Sequence, residues 1–366
     1  MKLDPLAVFV VLGGLALYGV PLALLAQPAN VDLATCGRIA NDAERLKCYD
    51  SIARPVTPGL AEPEKLPPAI TAVPSAAAQE AKNEKTAELQ EARSFMSRTW
   101  ELEREDKRGT FEFSSYLSSY FFPLHWSEGI NRTPTSPARG RTVTSLPPYK
   151  NLESKLQISF KTKLAQSIGP LGSDLWFGYT QQALWQLWSG NISTPFRSVD
   201  YEPELILTGP TPAPLQDLPL LSNFGWKFRM LNLGLAHQSN GQTQPFSRSW
   251  NRVYAVAGFE KDDFSVLLKL NRRLPESDDD NPDLTDFIGR AELQGLWRVG
   301  KQTLSARVRH NLKSSSKGSL QLDWQFPLAG ENLKGHVQLF SGYGETLLDY
   351  NFKRNTASLG LTLIDW

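Results

Sequence analysis

A histidine, a serine and an asparagine with side chains suited to ester hydrolysis occur close together in the sequence. His237 and Ser239 are separated by one residue in HQSNG, and Asn251 follows after a short polar segment. In a β-strand, residues i and i+2 point to the same side, so the imidazole and the hydroxyl would share a face. Histidine can take the serine proton as the oxygen attacks an ester, and an asparagine amide can fix the imidazole tautomer. The residue types therefore predict a Ser–His–Asn triad.

The residues around this set indicate an apolar setting. Leu231, Leu233 and Leu235 precede His237 on the same strand face, which is typical of a face turned to lipid. Polar side chains without partners cost stability there, so His237 needs a neighbour. Asn251 opens the next strand pattern, SWNRVYAVAGF, and could lie beside it across a hairpin. The histidines without such neighbours, for which a structural role is expected, are His125, His310 and His336.

A period of two dominates the chain from residue 97 onward. Segments such as KLQISFKTKL and LQLDWQF alternate apolar and polar side chains, the pattern of strands with one apolar face. About twelve such segments are predicted, near residues 110–122, 154–166, 173–187, 202–209, 226–238, 249–259, 263–272, 286–299, 302–311, 318–326, 334–342 and 356–365.

A soluble sandwich would alternate in the same way, so other features must decide between the two. The polar faces carry charges of both signs, short connections (EKDD, VGKQ) alternate with long ones (240–248, 273–284), and the chain ends on Trp366. These features favour an all-β fold, a transmembrane antiparallel β-barrel of about 12 strands with the N-terminus inside. Leu359, Leu361 and Leu363 share a face that Trp366 does not, so the last strand is expected to bulge or end early.

The composition excludes several classes of protein. The 366 residues include 39 Lys and Arg against 38 Asp and Glu, which is not the balance of a basic nucleic-acid binder. Residues 5–26 are the one segment apolar and long enough to cross a bilayer as a helix. The sequence contains neither a nucleotide-binding loop nor a cysteine–histidine zinc cluster.

The first quarter of the chain has a different composition from the rest. Residues 1–26 are predicted to be a signal peptide, with an uncleaved anchor helix as the alternative. Residues 27–54 form a small periplasmic segment whose Cys36 and Cys48 are expected to pair, although two reduced thiols would also fit. Residues 55–96, rich in proline and alanine, are predicted to be a flexible linker before a barrel domain at 97–366.

Five sequence blocks resemble one known family in the same order along residues 97–366. The segment HQSNGQTQPFSRSWNR resembles the active-site hairpin of outer membrane phospholipase A, a family of bacterial outer-membrane barrels. The other blocks are GYTQQALWQLW, STPFRSVDYEPEL, DDNPDLTDF and SGYGETLLDYNF. The resemblance implies twelve strands, calcium-dependent hydrolysis of phospholipid and lysophospholipid acyl esters, and activity as a homodimer.

The resemblance also implies roles for particular residues. Ser239 would be the nucleophile, His237 the general base, Asn251 its orienting partner and the Gly241 N–H an oxyanion donor. Calcium suits oxygen ligands in loose geometry. Its ligands would be the Gln242 carbonyl and Ser247 of one subunit with the Ser193 carbonyl of the other. Gln181 would lie at the subunit contact, the alternative being a polar residue of the barrel interior.

Some features depart from the family or remain open. Gln244 stands where the family often has Asp, which puts a second calcium site in doubt, although Asp280 could contribute. The segment 210–225 is longer than the family's turn. The alternative function is a passive outer-membrane channel or structural barrel with a vestigial triad, but a channel gives no reason to align His237 and Ser239 with a leucine row. A periplasmic binding sandwich does not explain the terminal aromatic or the alternating turns.

Overall fold

The computed structural model describes residues 36, 38–53, 94–169, 172–329 and 333–364. The predicted signal peptide and Trp366 lie outside these residues, as does most of the predicted linker. The chain divides into two compact units, 1–73 and 74–366, which are described separately. Among the described residues, no helix has the length and apolarity needed to cross a membrane.

The first unit contains a helix held by a disulfide bond. Helix α1 spans Asp42–Ala53, and the disulfide joins Cys36 to Cys48, as the sequence predicted. Asn41 begins the helix because its side-chain oxygen accepts the backbone N–H groups of Ala43 and Glu44. With so few residues to form a core, this crosslink constrains the segment.

The second unit is a closed antiparallel barrel of twelve strands, which confirms the predicted fold. A short strand, β1 (Phe113–Ser115), pairs with β3 next to the segment of β3 that pairs with β2. The barrel closes because β2 pairs with both β3 and β13. The barrel strands are β2 (Ser119–Ser127), β3 (Leu152–Ile168), β4 (Ser173–Trp185), β5 (Phe196–Pro210), β6 (Lys227–Ser239), β7 (Ser249–Lys261), β8 (Phe264–Arg273), β9 (Ala291–Val299), β10 (Gln302–His310), β11 (Gly318–Ala329), β12 (Leu333–Gly342) and β13 (Arg354–Ile364).

The first barrel strand lies later in the chain than predicted. The predicted segment 110–122 covers β1 and only the start of β2. The preceding residues pack instead into the barrel, where Trp100 of helix α2 (Phe95–Trp100) contacts Tyr116 and the inward-facing Trp176 edge to face. An apolar cluster inside the barrel thus competes with strand pairing for this part of the chain. The predicted irregularity of the last strand is confirmed by register shifts along β13.

The two ends of the barrel differ in the length of their connections. We call the end formed by the following loops the long-loop end: 128–151, 186–195, 240–248, 274–290, 311–317 and 343–353. The opposite, short-turn end has two-residue turns at 262–263 and 300–301. The segment that begins at residue 94 contacts Glu260 at this end. The short-turn end also carries the predicted insertion, observed at 211–226 with the short helices α3 (Ala213–Gln216) and α4 (Pro219–Ser222).

The two faces of the barrel wall follow the alternation of the sequence. On β6, Leu231, Leu233 and Leu235 are exposed on the outside, while Asn232 and Ala236 are buried inside. The interior is crossed by ion pairs, such as Lys155 with Glu345 and Arg197 with Glu153. An apolar outer belt around a charged interior is the arrangement of a barrel that lies in a membrane.

Candidate active site

The hairpin β6–β7 brings the three predicted triad residues to the outer face of the barrel. His237 lies directly opposite Asn251 in the strand register, and Ser239 lies opposite Ser249. His237 is exposed and continues the outward row that contains Leu235. The alternation of apolar and polar residues fixes this register, because a shift by one residue would turn the leucine row into the interior.

His237 and Asn251 form the hydrogen bond that was predicted from the sequence. His237 Nδ1 lies 2.8 Å from Asn251 Oδ1. Because an amide oxygen only accepts, the imidazole proton is on Nδ1, and Nε2 is left with its lone pair free for a proton. Within the described part of the chain, no hydrogen bond joins His237 to Ser239. The structure thus forms one of the two bonds of a triad.

The Ser239 hydroxyl instead contacts the start of the loop 240–248. Its Oγ accepts the backbone N–H of Gly241 at 3.0 Å. Gly241 has a φ of +62°, a backbone conformation that favours glycine. A Cβ added there would also lie only 3.2 Å from the Tyr201 ring, so the space favours glycine as well. The donor next to the serine oxygen is therefore a backbone N–H held by a left-handed turn.

Buried polar side chains hold the loop 240–248 in shape. Asn240 donates to the Phe246 carbonyl at 2.8 Å and accepts the N–H groups of Gln242 and Arg248 at 3.3 and 3.0 Å. The Arg248 guanidinium donates to the carbonyls of Ser247 and Arg141 at 2.7 and 2.9 Å. Burial lowers the pKa of Arg248 from its ordinary value. The loop therefore rests on a fixed internal network.

The predicted calcium ligands of one subunit lie on this same loop. Ser247 Oγ donates to an oxygen of Asp280, whose other oxygen is 2.7 Å from Arg141 Nε. Gln242 is exposed at the loop tip. No group of three or more His, Cys, Asp and Glu among the described residues is placed to hold a metal ion. The oxygen atoms available here are a hydroxyl, a carbonyl and a carboxylate.

Ser193, the third predicted ligand, lies elsewhere in the chain. It is exposed in the loop 186–195 and has a left-handed backbone, with φ of +62°. No hydrogen bond in the described residues joins Ser193 to Gln242 or Ser247. Two of the three predicted ligands, Gln242 and Ser247, therefore share one loop, and the third lies on another.

Gln181 lies on the outer face of β4, not in the interior. Its side-chain oxygen accepts the Tyr179 hydroxyl at 3.0 Å. In the strand register Gln181 is opposite Tyr201, and Tyr201 is opposite Ser239. Neighbouring strands are about 4.8 Å apart, so Gln181 and Ser239 are about 10 Å apart along one row of the outer surface.

Comparison with known proteins decides the family. The model of the family described as Phospholipase A1 matches residues 96–363. The chain belongs to the phospholipase A1 family. Its fold and the predicted class of enzyme, a phospholipid ester hydrolase, are thereby confirmed.

Relatives within this family cover most of the barrel. A protein of Neisseria meningitidis serogroup B named "Putative phospholipase A1" is 41% identical over 74% of this chain and 70% of its own length. Phospholipase A1 of Klebsiella pneumoniae is 35% identical over 71% of this chain and 85% of its own length.

Two solved structures of outer membrane phospholipases share the fold. That of Salmonella typhi, a dimer with bound calcium, has 30% identity and a TM-score of 0.62 over 71% of this chain and 94% of its own. The Escherichia coli outer membrane phospholipase A, solved as an active-site mutant with asparagine replaced by alanine, has 29% identity and a TM-score of 0.63. That match covers 74% of this chain and 99% of the other.

Sequence reasoning missed the residues of the loop 274–290 that contact the backbone of Asn251 and Ser249. Glu276 accepts the backbone N–H of Asn251 at 2.7 Å, and the Leu274 N–H donates to the Asn251 carbonyl at 2.9 Å. Asn281 accepts the Ser249 N–H at 3.0 Å. The segment ESDDDNPD has the composition of a solvated loop, so its residue types gave no signal of these contacts. Both backbone polar groups of Asn251 are held by this loop.

We expect Glu276→Ala to lower kcat for phospholipid hydrolysis about tenfold with little change in KM, because Asn251 loses the acceptor of its backbone N–H and the His237 ring loses a fixed partner. Glu276→Gln should restore most of kcat, since its amide oxygen can accept the same N–H. Kinetics on a soluble short-chain phospholipid would measure both. The exposed Asp278 of the same loop, replaced by alanine, is the control. A glutamine variant as slow as the alanine variant would contradict this role.

Proposed function

We propose that the chain hydrolyses acyl esters of phospholipids and lysophospholipids, with Ser239 as nucleophile, His237 as general base and Asn251 as its orienting partner. The observation that carries the proposal is the His237–Asn251 hydrogen bond on the outer face, next to a serine whose oxygen meets the Gly241 N–H. These polar groups adjoin a leucine row, where an acyl chain would lie. The active-site mutant of the E. coli protein replaces an asparagine with alanine, which supports the role of Asn251.

The geometry supports an ordered series of proton transfers. His237 Nε2 takes the Ser239 proton as Oγ bonds to the ester carbon, and the Gly241 N–H faces the oxygen on which charge develops. The carbon–oxygen bond to the glycerol then breaks, and the His237 imidazolium gives its proton to that leaving oxygen. Water, deprotonated by the same imidazole, attacks the acyl–serine carbon; as the carbon–Oγ bond breaks, the Ser239 oxygen takes the proton from His237 and the fatty acid is released.

Asn251 and Ser239 contribute in different ways to this series. The Asn251 oxygen keeps the proton on Nδ1, so that Nε2 is always the basic nitrogen. A rotation of the Ser239 side chain from the Gly241 N–H toward Nε2 would complete the triad, and catalytic hydrogen bonds commonly tighten only with substrate present. Because Asn251 is neutral, no carboxylate has to lose its hydration beside lipid.

Calcium fits the oxygen donors at the tip of the hairpin. The Gln242 carbonyl and the Ser247 hydroxyl of one subunit, with the Ser193 carbonyl of a second, would hold it, and hard oxygen ligands are those calcium prefers. When bound, the ion supplies positive charge beside the site where the oxyanion forms. The calcium-bound dimer of the S. typhi protein supports this assignment. Asp280 already pairs with Arg141 and Ser247, so a second site at Gln244 has little free negative charge to use.

Two copies of the chain would meet through the outer row that contains Gln181. This row places Gln181 two strands from Ser239, so a second subunit seated there would flank the catalytic groups. The Tyr179 hydroxyl donates to the Gln181 amide oxygen, and a partner amide across an interface would accept from the N–H groups of Gln181. The second subunit would also bring Ser193 to the loop 240–248.

We expect Gln181→Lys to lower both the dimer fraction and the activity about tenfold or more at equal protein concentration, because two like charges would meet across the interface. Crosslinking in calcium-containing micelles and fatty-acid release would report the two effects. Val308→Lys places the same charge on the outer face of β10, six strands away, and should change neither. Equal losses in both variants would show a general effect of charge on the barrel.

The difference between the two ends of the barrel supports a location in the outer membrane. We place the long-loop end outside the cell and the short-turn end in the periplasm, as in outer-membrane barrels. Residues 1–26 would then be a signal peptide, and 27–54 a small periplasmic segment joined by the linker 55–96. The outer-membrane origin of the structural relatives supports this location.

The proposal is tested by hydrolysis of phosphatidylcholine in mixed micelles by the purified full chain. With calcium we expect fatty acid and lysophospholipid, then further release from the lysophospholipid, and about a hundredfold less release when a chelator removes the metal. Restored activity on adding calcium, but not magnesium, would support the loose oxygen site. No release from folded, dimeric protein in calcium would overturn the proposal and leave a passive barrel.

A further inference from the structure

The insertion 211–226 exposes apolar side chains at the short-turn end. Leu220 is 80% exposed and Phe224 is 67% exposed, with Leu215 and Leu218 also open. The sixteen residues contain a single ionisable side chain, Asp217. The neighbouring turns at 262–263 and 300–301 are two residues long and polar, so this apolar surface belongs to the insertion itself.

The end of the insertion lies on the outer side of the barrel wall. An added Cβ at Gly225 would lie 3.4 Å from Cε of Lys261. Lys261 is on the outward face of β7, in the row that contains Phe259 and Val253. The last residues of the insertion therefore lie next to outward-facing side chains of β7, on the side of the barrel wall that would face lipid.

The apolar surface of the insertion continues the outer belt of the barrel. Phe228 and Phe259 stack on the outer face with their ring centroids 4.8 Å apart, directly below the leucine row of β6. Phe264 and Trp297 stack in the same way on the next strands. Aromatic pairs at this height mark the edge of a bilayer's hydrocarbon region. The insertion begins where this aromatic edge ends.

We propose that the insertion 211–226 binds phospholipid of the periplasmic leaflet, with Leu218, Leu220 and Phe224 between the upper acyl segments and the Lys261 ammonium at the phosphates. The continuity with the outer belt and the lysine stem beside Gly225 carry this proposal, because lysines at such a boundary bury their methylene groups and keep the charge among head groups. A surface for a protein partner need not adjoin the aromatic pairs at the edge of the outer belt, as this one does. The inference rests on the proposed membrane location but not on catalysis.

Such a contact would fix the height of the strands that carry the active site. The insertion joins β5 and β6, and β6 ends at Ser239 while β5 carries Tyr201. Burial of the exposed Leu220 and Phe224 side chains among acyl chains removes apolar surface from water and stabilises this contact. The contact with the periplasmic leaflet would therefore hold the β6–β7 hairpin, and with it Ser239 at the opposite end, at one depth in the bilayer.

A fluorophore at Leu220 tests the proposal without any assay of activity. The two cysteines are joined in a disulfide, so Leu220→Cys provides one free thiol for an environment-sensitive label. The full chain is reconstituted into phosphatidylglycerol–phosphatidylethanolamine vesicles that contain either lipids spin-labelled near the head group or aqueous iodide. Asp263→Cys, exposed in the neighbouring turn at the same end, is the matched control.

We expect the spin-labelled lipid to quench the label at position 220 at least about twofold while iodide has little effect, and the reverse at position 263. Equal quenching of both labels by iodide would overturn the proposal. A label at 220 shielded from both quenchers would also overturn it, since protein would then cover the insertion. Because no hydrolysis is measured, an inactive enzyme with a lipid-bound insertion is distinguished from an active enzyme without one.

Discussion

Replacement of Ser239 by alanine is expected to lower kcat for fatty-acid release by about 10⁴-fold or more. The proposed role of Ser239 rests on two observations: it lies two residues from His237 on the same strand face, and its Oγ is 3.0 Å from the Gly241 N–H. His237→Ala should cost about as much, because an unactivated serine is a weak nucleophile. Release of fatty acid from calcium-containing micelles measures both variants.

The double variant and a neighbouring serine make this expectation specific. Ser239→Ala combined with His237→Ala should be no slower than either alone, since residues that act as a unit are not additive. Ser249 lies directly opposite Ser239 across the hairpin, and Ser249→Ala should retain wild-type activity. If Ser249→Ala lost activity while Ser239→Ala kept it, the nucleophile would be wrongly assigned.

The second large effect concerns the stability of the long-loop end. Asp349 accepts hydrogen bonds from both Arg197, at 2.6 Å, and Arg354, and all three side chains are almost fully buried. Burial opposes the ionisation of Asp349, but the two guanidinium groups outweigh it and hold the pKa of Asp349 below its ordinary value. Asp349→Ala would remove the buried anion that the two guanidinium groups share and leave Arg197 with Glu153 and Arg354 with Glu345. We expect it to lower the free energy of unfolding by about 3–5 kcal/mol.

Urea unfolding in lipid vesicles, followed by the gel mobility shift of folded barrels, would measure this loss. Asp286, whose side chain is 38% exposed and whose partner Lys313 is 42% exposed, is the control, and Asp286→Ala should cost less than about 1 kcal/mol. A loss at Asp349 no greater than at Asp286 would contradict the structural importance of the buried cluster.

The sequence was sufficient to predict what depends on strand periodicity. Alternation along β6 and β7 determines which side chains face outward, and the same pattern sets the register that joins His237 to Asn251. Period two carries no information about contacts that are distant in sequence. The shift of the first strand to Ser119 depends on Trp100 packing against Trp176 inside the barrel, which local alternation does not encode.

Loop contacts were the least accessible from the sequence. Glu276 lies among acidic and polar residues typical of a solvated loop, yet its carboxylate accepts the backbone N–H of Asn251. Tyr201 was not singled out, although its ring limits the space at Gly241. The Ser239 rotamer was also unpredictable, because the hydroxyl can meet either His237 or the Gly241 N–H, and the choice between two hydrogen bonds of similar strength depends on the loop.

The most direct test of the proposed catalytic groups is covalent capture of the nucleophile. The full chain is treated with a long-chain alkyl sulfonyl fluoride in calcium-containing micelles, and tryptic peptides are sequenced by mass spectrometry. We expect a single adduct on Ser239, in the peptide that begins at Met230, with labelling that is lost in His237→Ala and when calcium is chelated. An adduct on Ser247 or Ser249, or labelling of Ser239 that does not need His237, would contradict the assignment of Ser239 and His237 as nucleophile and base.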